Sequence, residues 1–187
     1  METQNLNEKL DRLKEKIQDP DFLTGKGLSN EVNIRMFTYN PKHEMKVRYF
    51  VSKMKTDGNL KCNIKEYNLY ELFLEICEDK KLLQKIPGME EKKGSDFLLS
   101  RIHKFATTKV FAEKMRYDNH TDRDVVFLTG VGEVFPFMRV HSLLEELQIA
   151  FDDVPIVVMY PGEFNGREVI LFNEFKPNEY YRAFNLI

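Results

Sequence analysis

The sequence predicts a three-layer α/β domain around a mostly parallel sheet of about five strands. Three observations lead there. Short β-branched and aromatic runs alternate with helical stretches along the chain. The run from Pro155 to Tyr160 (PIVVMY) is apolar without alternation, the pattern of a strand buried on both faces. The turn Thr129-Gly130-Val131-Gly132 joins a strand to a helix, as in Rossmann-like or degenerate P-loop-like sheets.

The elements follow in chain order. Leu6, Leu10, Leu13 and Ile17 recur at spacings of four, three and four with polar residues between them. That is an amphipathic helix, and Asp19-Pro20 ends it. Residues 1–20 therefore read as a helix that docks on the domain or pairs with another chain, and residues 21–187 as one α/β domain. Val32 to Tyr39 alternates as a strand and closes at Asn40-Pro41. Lys42 to Lys55 reads as a helix and Leu60 to Tyr67 as a second strand. A helix from Asn68 to Ile86 carries Leu69, Leu72, Phe73, Ile76 and Leu83, and Pro87-Gly88 should stop it. Lys93 to Tyr117 reads as one long helix with two apolar stripes: Leu98, Ile102 and Val110 on one, Phe97, Phe111 and Met115 on the other.

Asp124 to Leu128 is the third strand. Pro136 suits the first turn of the next helix, whose stripe is Val140, Leu143, Leu144 and Leu147. The strand from Pro155 to Tyr160 ends at a Pro161-Gly162 turn. Asn165-Gly166 marks a second turn, and Val169 to Phe172 is its antiparallel partner. Tyr180 to Leu186 reads as a short closing helix.

Composition narrows the function classes. At 187 residues, 42% hydrophobic and with 15 Phe, the chain can bury a real core. A net charge of −2 argues against a globally basic nucleic-acid binder. The charge is uneven, however. Residues 80–118 hold ten basic and five acidic groups, and residues 119–187 hold five and eleven. Cys62 and Cys77 make neither a disulfide framework nor a CxxC pair, so both read as buried thiols of a cytoplasmic protein. A membrane span would need a run of about 18 apolar residues, which is absent.

Motifs with chemistry are few. GxxxxGK[ST] is missing, and so are HExxH and GxSxG. Gly130 and Gly132 stand where a dinucleotide fingerprint would begin, but its third glycine is replaced by Phe135. Glu133 would repel a phosphate there. Arg139 and His141 could line one cleft with Glu133, and the turn after Tyr160 could present Glu163 and Arg167. The acidic stretch from Asp118 to Asp124 has Arg123 and Thr129 at two positions a calcium loop reserves for Gly and Glu. It reads as a polar surface loop, and no metal or other cofactor is expected.

The segments from Phe127 to Gln148, from Pro155 to Arg167 and from Tyr180 to Phe184 carry a family resemblance. The chain resembles the BrxB family of the bacteriophage-exclusion (BREX) defence systems from about Leu6 to Ile187. The resemblance implies a bacterial cytoplasmic protein acting in phage defence beside a methyltransferase, a large ATPase and a phosphatase-like protein, PglZ. It implies no catalytic residues. Thr129, Gly130, Gly132, Glu133, Arg139, Tyr160, Pro161 and Gly162 are then shape-determining motif positions.

Two readings follow. The first is an adaptor with a PglZ-like protein as the expected partner, other BREX components and a homodimer being further options. Its contacts would come from Leu6, Leu10, Leu13 and Ile17, or from Phe97, Phe111 and Met115. The second is a nucleic-acid or nucleotide-binding module using Lys93, Arg101, Lys104, Lys109, Lys114 and Arg116. Those cations spread around the predicted helix instead of forming the stripe that a polyanion needs.

Overall fold

The computed structural model describes residues 2–25, 33–151, 153–164, 168–175, 178–179 and 184–186. Its elements are α1 (Glu2–Lys16), α2 (Pro20–Leu23), β1 (Ile34–Tyr39), α3 (Glu44–Lys55), β2 (Asn63–Asn68), α4 (Leu69–Asp79), α5 (Ile86–Lys93), α6 (Ser95–Phe105), α7 (Thr108–Met115), β3 (Asp124–Thr129), α8 (Val131–Val134), α9 (Val140–Ala150), β4 (Ile156–Phe164), β5 (Glu168–Leu171), β6 (Asn178–Glu179) and β7 (Phe184–Asn185).

β4 organises the sheet. Its first residues pair in parallel with β3 on one side and β1 on the other. The strand order is β2-β3-β4-β1-β7, with every neighbouring pair parallel. In a Rossmann sheet the first and second strands are neighbours; here β3 and β4 stand between them. Parallel strands need crossover helices, and those helices cover both faces. Ile34, Met36, Val126, Leu128, Ile156 and Val158 face a core shared with α4, α6, α7 and α9. Phe37, Tyr39, Val125, Phe127, Val157 and Met159 face a core shared with α1, α2 and α3. The period-two alternation of side chains divides the strand residues between these two cores. The result is the expected three-layer α/β arrangement.

The helix α1 belongs to the second layer. Leu6, Leu10, Leu13 and Ile17 are all buried against the sheet. Lys14 adds an ion pair with Asp57 (2.7 Å) in the turn after α3.

Several boundaries differ from the sequence reading. The 93–117 helix is broken. Ala106 leaves the helical region (φ −87°, ψ 62°) and Thr107 is extended (φ −85°, ψ 160°). A straight helix would carry its two stripes to opposite sides. Two helices meeting at a bend bury Leu98 and Ile102 from α6 and Phe111 and Met115 from α7 in one core. Pro87 does not end a helix but lies in the first turn of α5, where its missing N–H costs nothing. Pro136 lies before α9, not within its first turn, after a cis peptide bond with Phe135. The chain does not turn at Pro161-Gly162; β4 runs on to Phe164, and Gly162–Phe164 pairs antiparallel with β5. Phe184 and Asn185 form a strand beside β1 instead of a helix, because the edge of β1 offers ladder hydrogen bonds to an extended end. Val32, Asn165, Gly166 and Arg167 lie outside the described residues.

The loop before β3 is a structural clamp. Asp124 is buried and accepts hydrogen bonds from Thr121 Oγ1 (2.6 Å), Asn63 Nδ2 (2.9 Å) and the Tyr117 hydroxyl (2.9 Å). Burial pushes its carboxyl pKa up, but the hydrogen bonds from Thr121, Asn63 and Tyr117 outweigh that and hold it below the usual value.

Two stability predictions follow from these contacts. Leu13→Ala should cost about 3 kcal/mol in urea unfolding, as for a fully buried leucine. A loss well under 1 kcal/mol would mean that α1 contributes little to the cooperative fold. For Asp124, a lowered pKa means stabilisation that is present above the unfolded value of 3.8 and lost as pH falls through the folded value. The stability difference between the native protein and Asp124→Asn should thus be constant near neutrality and shrink in acid. A difference independent of pH would show that the charge is unimportant.

Candidate functional site at the carboxyl edge of the sheet

Ligands of open α/β sheets bind beyond the carboxyl ends of the strands, where successive connections leave in different directions. Here those ends are Tyr39, Asn68, Thr129 and the Tyr160-Pro161 stretch of β4. The Gly130–Gly132 turn lies among them.

Gly130 adopts a left-handed backbone (φ 68°, ψ 19°) that leads β3 into α8. Its α-carbon is pressed against Asn68: an added Cβ would collide with Asn68 Oδ1 and lie 3.2 Å from the Tyr70 nitrogen. The same Asn68 oxygen caps α4, accepting from the backbone N–H groups of Tyr70 (3.0 Å) and Glu71 (3.2 Å). The exits of β2 and β3 are thus locked together. At Gly132 an added Cβ would stand 2.6 Å from Phe172 Cε1 and 3.2 Å from Pro161 Cγ. The Phe172 ring occupies the space over the turn. Gly162 is equally close-packed, against the Ile170 carbonyl of β5.

Charged side chains complete the edge. The Tyr39 hydroxyl donates to Glu44 (2.6 Å), and Arg48 binds Glu44 (2.9 Å) and also Glu133. This chain of contacts links β1, α3 and α8. A second chain links β3, β2 and α3, through Thr129 to Glu66 (2.8 Å) and Lys55 to Glu66 (2.6 Å). Burial, then the Glu44 carboxylate, pushes the Tyr39 pKa far up, so its hydroxyl stays a donor. Three carboxylates face two cations here, and a phosphate would add charge of the wrong sign.

The predicted motif residues separate into two groups. Thr129, Gly130, Gly132, Glu133, Tyr160, Pro161 and Gly162 are at or beside this edge. Arg139 and His141 are at the start of α9, where the Arg139 guanidinium lies 5.9 Å from the Phe135 ring centroid. Burial and then the Arg139 charge lower the His141 pKa. Glu133 instead takes Arg48 as its partner. Glu163 is exposed on β4 opposite Ile170. Cys62 and Cys77 are both buried. Burial raises the Cys62 pKa and pushes the Cys77 thiol up to about 11. Among the described residues, no cluster of His, Cys, Asp and Glu could hold a metal ion, and no helix is long and apolar enough to cross a membrane.

The expected partner-binding side chains are mostly core. Leu6, Leu10, Leu13, Ile17, Phe111 and Met115 are buried within the chain itself, and only Phe97, at 37% exposure, reaches the surface. The bend at Ala106 is the reason for Phe111 and Met115, and the docking of α1 for the leucine stripe. The expected basic track is divided at the same bend. Lys114 is held by Glu75 (3.3 Å) and Asp79 (3.0 Å), and Arg116 stands 3.8 Å from Glu113. Lys93 and Arg101 line a cleft between α5 and α6 together with Lys85, Lys92, Met89 and Phe97. Lys104 lines a smaller adjoining hollow, and Lys109 is exposed on α7. The cleft was missed in the sequence. Reading Pro87 as the start of a helix would have revealed the α5–α6 hairpin.

A family described as "BREX protein BrxB" matches residues 65–186, which include most of β2, all of β3 and β4, and the Gly130 turn. The chain belongs to the BrxB family. A "BREX protein BrxB" from Bacillus cereus (strain H3081.97) is 44% identical over 97% of both chains. Another from Escherichia coli O9:H4 (strain HS) is 25% identical over 97% of this chain and 92% of its own. No solved structure matches the chain. The matched segment contains β3, α8 and β4, where Gly130, Gly132 and Gly162 make their close contacts.

Gly130→Ala tests that role. A left-handed non-glycine residue costs about 1–2 kcal/mol before any collision; with Asn68 in the way, the loss in urea unfolding should be about 2 kcal/mol or more. Gly58→Ala is the control, since an added Cβ meets nothing within 4 Å there. It should change stability by roughly 0.5 kcal/mol or less. Equal effects at both positions would refute the packing role of Gly130.

Proposed function

We propose that this protein is a non-catalytic component of a BREX phage-defence system, an adaptor that works in the bacterial cytoplasm by binding a larger partner. A PglZ-like protein is the foremost candidate for that partner. One observation carries the reading: the carboxyl edge of the sheet is filled by the protein's own side chains. Phe172 lies over Gly132, and the contacts through Glu44, Arg48 and Glu133 span the strand ends. The usual ligand position of an α/β sheet is then closed to a nucleotide. The two relatives named as BREX proteins support the defence setting.

A second reading, nucleic-acid binding, is favoured by the exposed Lys93, Arg101 and Lys104. It requires an affinity that falls steeply with salt.

Affinity purification of the tagged full chain, co-expressed with its genomic neighbours, tests the proposal. A stoichiometric complex with one of them, sized by light scattering, is the expected result. A chain that elutes alone from every combination but retards labelled DNA at low salt would replace the adaptor reading with the second one.

A further inference from the structure

We propose that the cleft between α5 and α6 is the docking site for a short acidic segment of a protein partner that carries an apolar or aromatic anchor. The proposal rests on the adaptor reading and specifies where contact is made. The cleft has a volume of about 600 Å³, and a second hollow of about 200 Å³ adjoins it. Met89 and Arg101 line both. The larger cleft is lined by Lys85, Lys92, Lys93 and Arg101, with Met89 and Phe97 as its apolar part.

Charge is sorted on this hairpin. Residues 85–104 hold five basic and three acidic groups. Glu90, Glu91 and Asp96 are exposed but do not line the cleft. Several cations elsewhere in the fold are paired: Lys14 with Asp57, Arg48 with Glu44 and Glu133, Lys55 with Glu66, Lys114 with Asp79. Among the described residues, none of the four cleft cations is ion-paired with a carboxylate. Like charges gathered in one cleft repel each other, and a bound anion relieves that repulsion. α5 has no fully buried residue, its core contacts being the partly buried Ile86 and Met89.

The apolar part and the surroundings select an acidic peptide over a nucleic acid. Lys93 Nζ lies 4.6 Å from the Phe97 ring centroid, so a hydrophobic surface and a cation are presented together. Phosphate tracking needs a continuous basic stripe. Here the stripe ends at the Ala106 bend, beyond which Lys114 is already occupied by Glu75 and Asp79. α5 is eight residues long, about 12 Å at 1.5 Å per residue, enough for one short segment.

The test uses the full chain and two fluorescein-labelled probes: a peptide of glutamates interspersed with leucine and phenylalanine, and single-stranded DNA of matching length. Anisotropy titrations at low and physiological salt measure binding. The peptide should bind more tightly than the DNA. The double variant Lys93→Glu/Arg101→Glu should weaken it at least about tenfold, and Phe97→Ser should weaken it as well. Lys109→Glu, on the far side of the bend, should leave it unchanged. All four positions are exposed, so urea midpoints should stay near that of the native protein. Peptide binding that ignores the double variant would overturn the proposal, as would DNA binding more tightly than peptide. The co-expression experiment separates the two levels. A complex that survives the double variant removes this docking site and keeps the adaptor reading. A native chain that forms no complex removes the adaptor reading, and the peptide titration still judges the cleft.

Discussion

The rest of the structure depends on the burial of β4 on both faces. From Ile156 to Tyr160 every side chain is shielded from water, alternately by the α4/α6/α7/α9 layer and by the α1/α3 layer. Burying one large aliphatic side chain contributes roughly 1.5–3 kcal/mol, so this single strand anchors both layers. A parallel strand in the centre can be reached only through helical crossovers. The two helical layers are the geometric consequence, and α1 is recruited into one of them because Phe37, Phe127 and Val157 need cover on that side.

The same strand decides what the carboxyl edge can do. β4 does not stop where its parallel neighbours stop; it continues through Pro161 and Gly162 and pairs with β5. The continuation brings Pro161 and Phe172 onto Gly132. A turn that resembles the start of a nucleotide site in sequence is thereby packed with hydrocarbon. The ion pairs of Arg48 and Lys55 close the remaining rim with more negative than positive charge. Catalytic α/β domains keep this position open. Here the glycines serve close packing between elements.

Among the helices, the α5–α6 hairpin stands apart. The hairpin collects Lys85, Lys92, Lys93 and Arg101 in a cleft beside Met89 and Phe97. It is attached to the core through the buried Leu98 and Ile102 of α6 and the partly buried Ile86 and Met89 of α5. The exposed positions of such an element can change at little cost to the fold.

The class of fold, the three central strands and the amphipathic character of α1 were legible in the sequence, because period-two and period-3.6 patterns report one-sided or two-sided burial directly. The Gly130 turn was legible as a tight strand-to-helix junction for the same local reason. What covers each apolar face was not legible. The leucines of α1 could equally have met another chain, and the Phe97, Phe111 and Met115 stripe ran along one predicted helix. Tertiary structure decided otherwise: docking on β1 and β3 buried the leucines, and the bend at Ala106 sent Phe111 and Met115 inward and left Phe97 outside. Partners of Glu133 and Lys114 were likewise invisible, since Arg48 and Asp79 are distant in the chain. Sequence alone determined which faces must be buried; only the tertiary structure decided against what, because that choice belongs to the crossovers and not to any local pattern.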